Sequence, residues 1–152
     1  MIFSLIFESP IGNMLLKERD GKIFEITFAA DSNVTFFSSY LLKEAAIQLE
    51  EYFKGVRTQF ELPVFLEGTP FQVSVWKATM RIPYGETKSY WEIAKDIRRE
   101  KAYRAVGNAL NANKVVLIVP CHRVVSKSGI GGFGAGLWRK RWLLEHERKK
   151  TF

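Results

Sequence analysis

Thr69-Pro70-Phe71-Gln72-Val73-Ser74-Val75-Trp76 carries its own start signal. A hydroxyl side chain at the N-cap, proline at the first helical position and glutamine at the third form a capping box, and apolar residues follow. The spacing predicts a helix over about residues 70–81, ended by Ile82-Pro83-Tyr84-Gly85. This start also divides the chain. Residues 56–68 contain Pro63 and Gly68 without a helical period and read as an edge strand plus linker. Two subdomains are therefore expected, residues 1–65 and 66–152.

Upstream, the pattern is a β-meander: Ile2–Phe7, a turn at Ser9-Pro10-Ile11-Gly12, Met14–Lys17, then Asp20-Gly21 leading into Lys22–Ala29. Phe24, Ile26 and Phe28 alternate with polar neighbours as in a half-buried strand, and Asp-Gly is a tight-turn signal. Phe37, Leu41, Ala45, Leu49, Tyr52 and Phe53 then fall at helical spacing, with Gly55 placed to stop a helix that covers one sheet face. The expected fold class is α+β: a small antiparallel sheet with a covering helix, then a mostly helical domain.

Downstream, Ser89-Tyr90-Trp91-Glu92 is a second capping box and opens a short helix. A polar turn at Arg98-Arg99-Glu100 leads to another helix from about Lys101 to Ala112, with Ala102, Ala105, Val106, Ala109 and Leu110 as packing positions. The pair reads as a helix-turn-helix or as an ordinary helical hairpin. Val115-Val116-Leu117-Ile118-Val119 reads as a buried strand stopping at Pro120. A glycine-rich loop spans Gly129 to Gly136; without Lys-Ser/Thr after its last glycine it is no phosphate-binding P-loop. Leu137–Arg148 reads as a closing helix.

Of 152 residues, 47% are apolar, enough for a real core. No apolar run approaches the roughly 20 residues of a membrane helix, and the first residues lack a signal-peptide pattern, so an intracellular, cytoplasmic protein is expected. The net charge of +7 is divided unevenly. Residues 1–97 carry 10 Lys/Arg against 13 Asp/Glu, whereas residues 98–152 carry 13 against 3. A basic last third suits contact with a polyanion; a solvated basic surface is the alternative.

A single cysteine and two histidines exclude an internal disulfide and leave too few soft ligands for a closed zinc site. No metal or cofactor is expected. Cys121 is either a packed thiol or a nucleophile. Its neighbours in Pro120-Cys121-His122-Arg123 are a base and a permanent cation, groups that stabilise a thiolate. Papain-like catalysis fits poorly because its histidine is distant in sequence; the tyrosine-phosphatase loop, with histidine before cysteine, also fails.

Pro120-Cys121-His122-Arg123-Val124, preceded by Arg104-Ala105-Val106-Gly107, resembles the O6-alkylguanine-DNA alkyltransferase family. The similarity runs densely over residues 69–147, including Ile82-Pro83-Tyr84-Gly85-Glu86-Thr87, Ser89-Tyr90 and Leu137 through Glu147. It implies a winged-helix-like helix-turn-helix domain that binds the minor groove of double-stranded DNA containing O6-alkylguanine, acting as a monomer. Cys121 would accept the alkyl group, His122 would take its proton through a water, and Glu147 would orient the imidazole. Tyr90 would protonate N3 of the leaving base; a packed aromatic is the plainer reading of that residue.

The same resemblance makes Asn113 the holder of the loop before the active-site strand and Leu110 an apolar pocket wall. Phe133 would stack on the extruded base, the Gly134 N–H would bond O6, and Val124 falls within the pocket segment. Arg104 would fill the space vacated in the stack, while Ala105 and Gly107 stay small so that the helix can approach DNA. Tyr103, Asn108 and Lys114 depart from the usual aliphatic, glycine and proline, and the 129–137 loop is one residue shorter than in many relatives. Two other readings are a non-catalytic alkyltransferase-like damage binder, which Cys121 argues against, and a helix-turn-helix regulator, for which the cysteine motif has no purpose.

Overall fold

The computed structural model describes residues 1–28 and 37–149. The chain forms two compact units, Met1–Leu66 and a second that begins at Glu67.

In the first unit β1 (Ile2–Ser9), β2 (Gly12–Arg19) and β3 (Lys22–Phe28) form an antiparallel meander in the order β1-β2-β3. Asp20 and Gly21 both take left-handed φ, 52° and 76°, the geometry that joins two twisted strands through a two-residue turn. The expected alternation in β3 is corrected. Lys17 pairs with Glu25 and Glu18 with Ile23, so Phe24 is an extra residue in a β-bulge. The bulge turns Ile23 and Ile26, rather than Phe24 and Phe28, fully inward. Phe24 instead lies under the Arg19 guanidinium, 4.6 Å from its ring centroid. Ala29, expected to end this strand, lies outside the described residues.

Helix α1 (Tyr40–Phe53) is capped by Ser39, whose Oγ accepts from the Leu42 N–H at 3.1 Å. It buries Leu42, Ala45, Leu49 and Tyr52. Phe37, expected as its first apolar position, precedes the cap and is exposed because the Ser39 cap sets the helix start at Tyr40, three residues later. Gly55, at φ +80°, follows the C-cap. The expected edge strand in 56–68 shrinks to one bridge, with Phe65 N–H donating to the Ile23 carbonyl and Ile23 N–H to the Pro63 carbonyl, each at 2.9 Å.

The second unit starts with α2 (Pro70–Met80), where both halves of the Thr69/Gln72 capping box form. The two-residue strand β4 (Lys88–Ser89) leads into α3 (Tyr90–Asp96), capped reciprocally by Ser89 and Glu92. A turn brings in α4 (Tyr103–Asn111), and α3 and α4 pack on each other and on α2. Trp76 Nε1 donates to the Ala109 carbonyl at 2.8 Å, a buried tie between α2 and α4. Ala105, expected to pack, is exposed; Val106, Ala109 and Leu110 form the inner face. Val124–Val125 (β5) pairs in parallel with β4, and α5 (Leu137–Arg148) closes the unit.

Val115–Val119 is buried through most of its length but is not a strand. Its only bridge among the described residues is internal, Val116 to Val119. The cause is Asn113: its Oδ1 accepts from Val115 N–H at 2.8 Å and its Nδ2 donates to the Val119 carbonyl at 3.0 Å. An extended run of this length would separate its ends by about 13 Å, so one amide cannot hold both. The segment turns instead, with Val119 N–H on the Val115 carbonyl and Leu117 at φ 74°.

Candidate active site

Pro120 is the centre of an inverse γ-turn, φ −81° and ψ 64°, with Cys121 N–H donating to the Val119 carbonyl at 2.8 Å. A 3₁₀ turn, Cys121–Arg123, follows. Cys121 thus arrives on a tight turn at the floor of a cavity of about 430 Å³. One wall is α4, through Tyr103, Arg104, Gly107, Asn108, Leu110 and Asn111; the other is the loop Gly131–Gly134 with Phe133. Tyr90 and Ser126 complete the lining. Most of the expected site residues therefore share one space. Val124 does not: it is fully buried outside the lining, and Ser126 takes the position at the wall. Ala105 lies on the exposed face of α4 and does not line the cavity.

The thiol is held as a thiol. Burial pushes the Cys121 pKa up, against the lowering effects of the Asn113 hydrogen bond and of Lys140. Asn113 Nδ2 lies 3.2 Å from Sγ, so the amide that shapes the 115–119 turn also fixes the sulfur. Arg123 does not serve the thiol as expected from its place in the sequence. Its Nε and Nη2 donate to the two carboxylate oxygens of Glu147 at 2.8 and 3.1 Å, and Nη1 donates to the Ile82 carbonyl at 2.8 Å. This fork of donors matches a carboxylate and spends the cation there.

Glu147 also meets His122, with Nε2 and Oε2 2.6 Å apart, and accepts from the Gly85 N–H at 3.2 Å. Although burial opposes it, bonding to His122 and Arg123 holds the carboxyl far below the usual carboxylate range. Burial pushes the His122 pKa down more than Glu147 raises it, so the imidazole is neutral at pH 7. A carboxylate only accepts, which assigns the proton to Nε2 and the lone pair to Nδ1. Nδ1 is buried and has no protein partner among the described residues. A neutral imidazole next in sequence to a cysteine, its Nε2 held by a carboxylate and its Nδ1 free, has the chemistry of a general base.

Tyr90 Oη accepts from the Gly132 N–H at 3.1 Å and makes a long 3.4 Å contact to the Gly132 carbonyl. Burial raises its pKa, so it carries a proton to give. Lys140, which the sequence presents as one more cation in a basic helix, is fully buried. Its Nζ donates to the Val124 carbonyl at 2.7 Å and the Gly132 carbonyl at 2.8 Å, joining the segment after Cys121 to the glycine-rich wall. Desolvation brings its pKa down to about 8. Among the described residues, no group of three or more His, Cys, Asp or Glu side chains is placed to hold a metal ion.

Residues 1–66 match the family described as 6-O-methylguanine DNA methyltransferase, ribonuclease-like domain, and residues 70–149 match its DNA binding domain. A methylated-DNA–protein-cysteine methyltransferase of Methanosarcina barkeri is 45% identical over 93% of this chain and 94% of its own. The crystal structure of Mycobacterium tuberculosis O6-methylguanine methyltransferase superposes with a TM-score of 0.91 at 39% identity, covering 99% of this chain and 95% of that one. The same mycobacterial protein in complex with DNA gives 0.87 at 40% identity, over 98% and 93%. With both units matched in order and the relatives similar along nearly their whole length, this chain belongs to the 6-O-methylguanine DNA methyltransferase family.

Proposed function

We propose that this protein repairs double-stranded DNA by moving the alkyl group of an O6-alkylguanine onto Cys121, once per molecule. The observation that carries this reading is the buried relay behind the cavity floor: Cys121 beside a neutral His122 whose Nε2 is held 2.6 Å from Glu147. Sulfur attacks the alkyl carbon in line, the S–C bond forms and the C–O6 bond breaks, leaving its electron pair on guanine. The thiol proton passes through a water to His122 Nδ1, and the Tyr90 hydroxyl gives its proton to N3 of the leaving base. A thioether does not hydrolyse, so the protein is consumed.

A base inside a duplex cannot reach this floor, so the nucleotide turns out into the cavity between α4 and the 131–134 wall. There Phe133 stacks on it and the Gly134 N–H meets O6. Arg104, exposed at the cavity rim, replaces it in the stack. Ala105 and Gly107 keep α4 low enough for the minor groove. The protein works as a monomer inside the cell, on chromosomal DNA. Incubation with an oligonucleotide containing O6-methylguanine, followed by peptide mass spectrometry, tests the reaction: one methyl group per protein on Cys121 is expected. Tight binding without a mass change would make it a damage binder instead.

A further inference from the structure

Arg104, Asn108 and Asn111 stand four and three residues apart on α4 and therefore share one face of the helix. All three are exposed and border the cavity. No hydrogen bond or ion pair within the described residues engages any of their side chains. The opposite face, Val106, Ala109 and Leu110, is buried. Asparagine is a poor helix former because its amide competes for nearby backbone, yet two occupy this row with a carbonyl and an NH₂ unspent on each.

We infer that Asn108 and Asn111 read the minor-groove edges of the base pairs beside the lesion and favour pairs that present the guanine 2-amino group. The inference rests on the alkyl-transfer reading with α4 in the minor groove. In that groove A·T pairs offer only acceptors, whereas G·C adds one donor, the guanine N2 amino group. A lysine or arginine can only donate and a carboxylate can only accept. A carboxamide does both, taking the N2 hydrogen on Oδ1 while Nδ2 gives to a neighbouring O2 or N3. The helix rises 1.5 Å per residue, so the two amides lie about 6 and 10 Å along the axis from Arg104. That is about two and three base-pair steps of 3.4 Å. With Arg104 at the vacated position, they reach undamaged neighbours on one side.

The test uses four duplexes around one O6-methylguanine. The neighbouring pairs are G·C, hypoxanthine·C, A·T or 2,6-diaminopurine·T, so the minor-groove amino group is removed or added while the major-groove pattern is kept. Affinity and transfer rate are measured on each. The wild-type protein should prefer the amino-bearing member of each couple about fivefold, the low end of a base-edge contact. The amino group strengthens pairing, which hinders extrusion, so this preference runs against the effect of duplex stability. In the doubly substituted Asn108→Ala, Asn111→Ala protein the ratio should fall to near one. Equal binding of the wild type to both members overturns the inference, as does a ratio that survives the double substitution. Loss of transfer on every duplex with the affinity preference intact would overturn the alkyl-transfer reading alone.

Discussion

His122 Nε2 lies 2.6 Å from Glu147 Oε2, and this pair turns the imidazole so that its free nitrogen is the basic one. Burial keeps His122 neutral below its ordinary pKa of 6.5. The half-maximal point of transfer to Cys121 should therefore lie below pH 6.5, where an ordinary histidine base would be half protonated. Single-turnover rates as pH falls through that value check it. Glu147→Gln, which can present its NH₂ to the ring and reverse the tautomer, should slow transfer about a hundredfold or more.

Breaking the Arg123–Glu147 pair has a structural cost separate from chemistry. Arg123→Ala leaves a buried carboxylate without its forked partner and should destabilise the fold by about 3–5 kcal/mol. Denaturant unfolding measures this. A change below about 1 kcal/mol would mean that His122 and Gly85 suffice to hold Glu147.

Gly131 faces Tyr90 so closely that a methyl group has no room. A Cβ there would lie 2.6 Å from Tyr90 Oη and 2.9 Å from Cε2, on a backbone at φ +76°. Gly131→Ala should cost about 1–3 kcal/mol and slow transfer by displacing the proton donor. Gly129→Ala, where no atom lies within 4 Å of the added Cβ, is the control and should be near neutral.

Lys140 separates local order from global stability. Lys140→Met removes a buried ammonium that binds two carbonyls, so amide hydrogen exchange in the 129–136 loop should quicken and transfer should slow. Overall stability should change little, because an apolar side chain escapes the desolvation cost. The folded pKa of about 8 is below the unfolded value of 10.5. Between them the unfolded chain holds more protons at this site, so Lys140 contributes a rise of stability with pH across that window, opposed by Cys121 and Tyr90, whose raised pKa values act the other way. The substitution should abolish the Lys140 contribution.

Arg104→Ala should weaken repair of duplex DNA while largely preserving reaction with a free O6-alkylguanine base, which needs no extrusion. Equal loss on both would show that Arg104 acts on the pocket rather than on the stack.

Elements whose signals are local were legible in the sequence: the capping boxes at Thr69 and Ser89, the Asp20-Gly21 turn, and the closing helix over 137–148. Features made by distant partners were not. Val115–Val119 has the composition of a strand, but the Asn113 side chain ties its ends together. Nothing in Phe24 announces a bulge, which depends on pairing with β2. Arg123 sits two residues from Cys121, so proximity in sequence suggested the thiol as its partner, whereas the fold brings Glu147 across 24 residues. Lys140 lies in a run of cations and gave no sign of its burial. Its signal was available only as a lysine on the inward side of α5.

Glu147 joins His122 across 25 residues and Gly85 across 62. In a chain made from its N-terminus, the nucleophile is therefore synthesised well before the residue that arms its base. Contacts of such sequence separation form late because loop closure precedes their gain. Until Glu147 is in place His122 lacks its orienting partner, so transfer assisted by that base requires the completed fold. For a protein spent after one event, the finished fold is therefore a condition of the transfer itself.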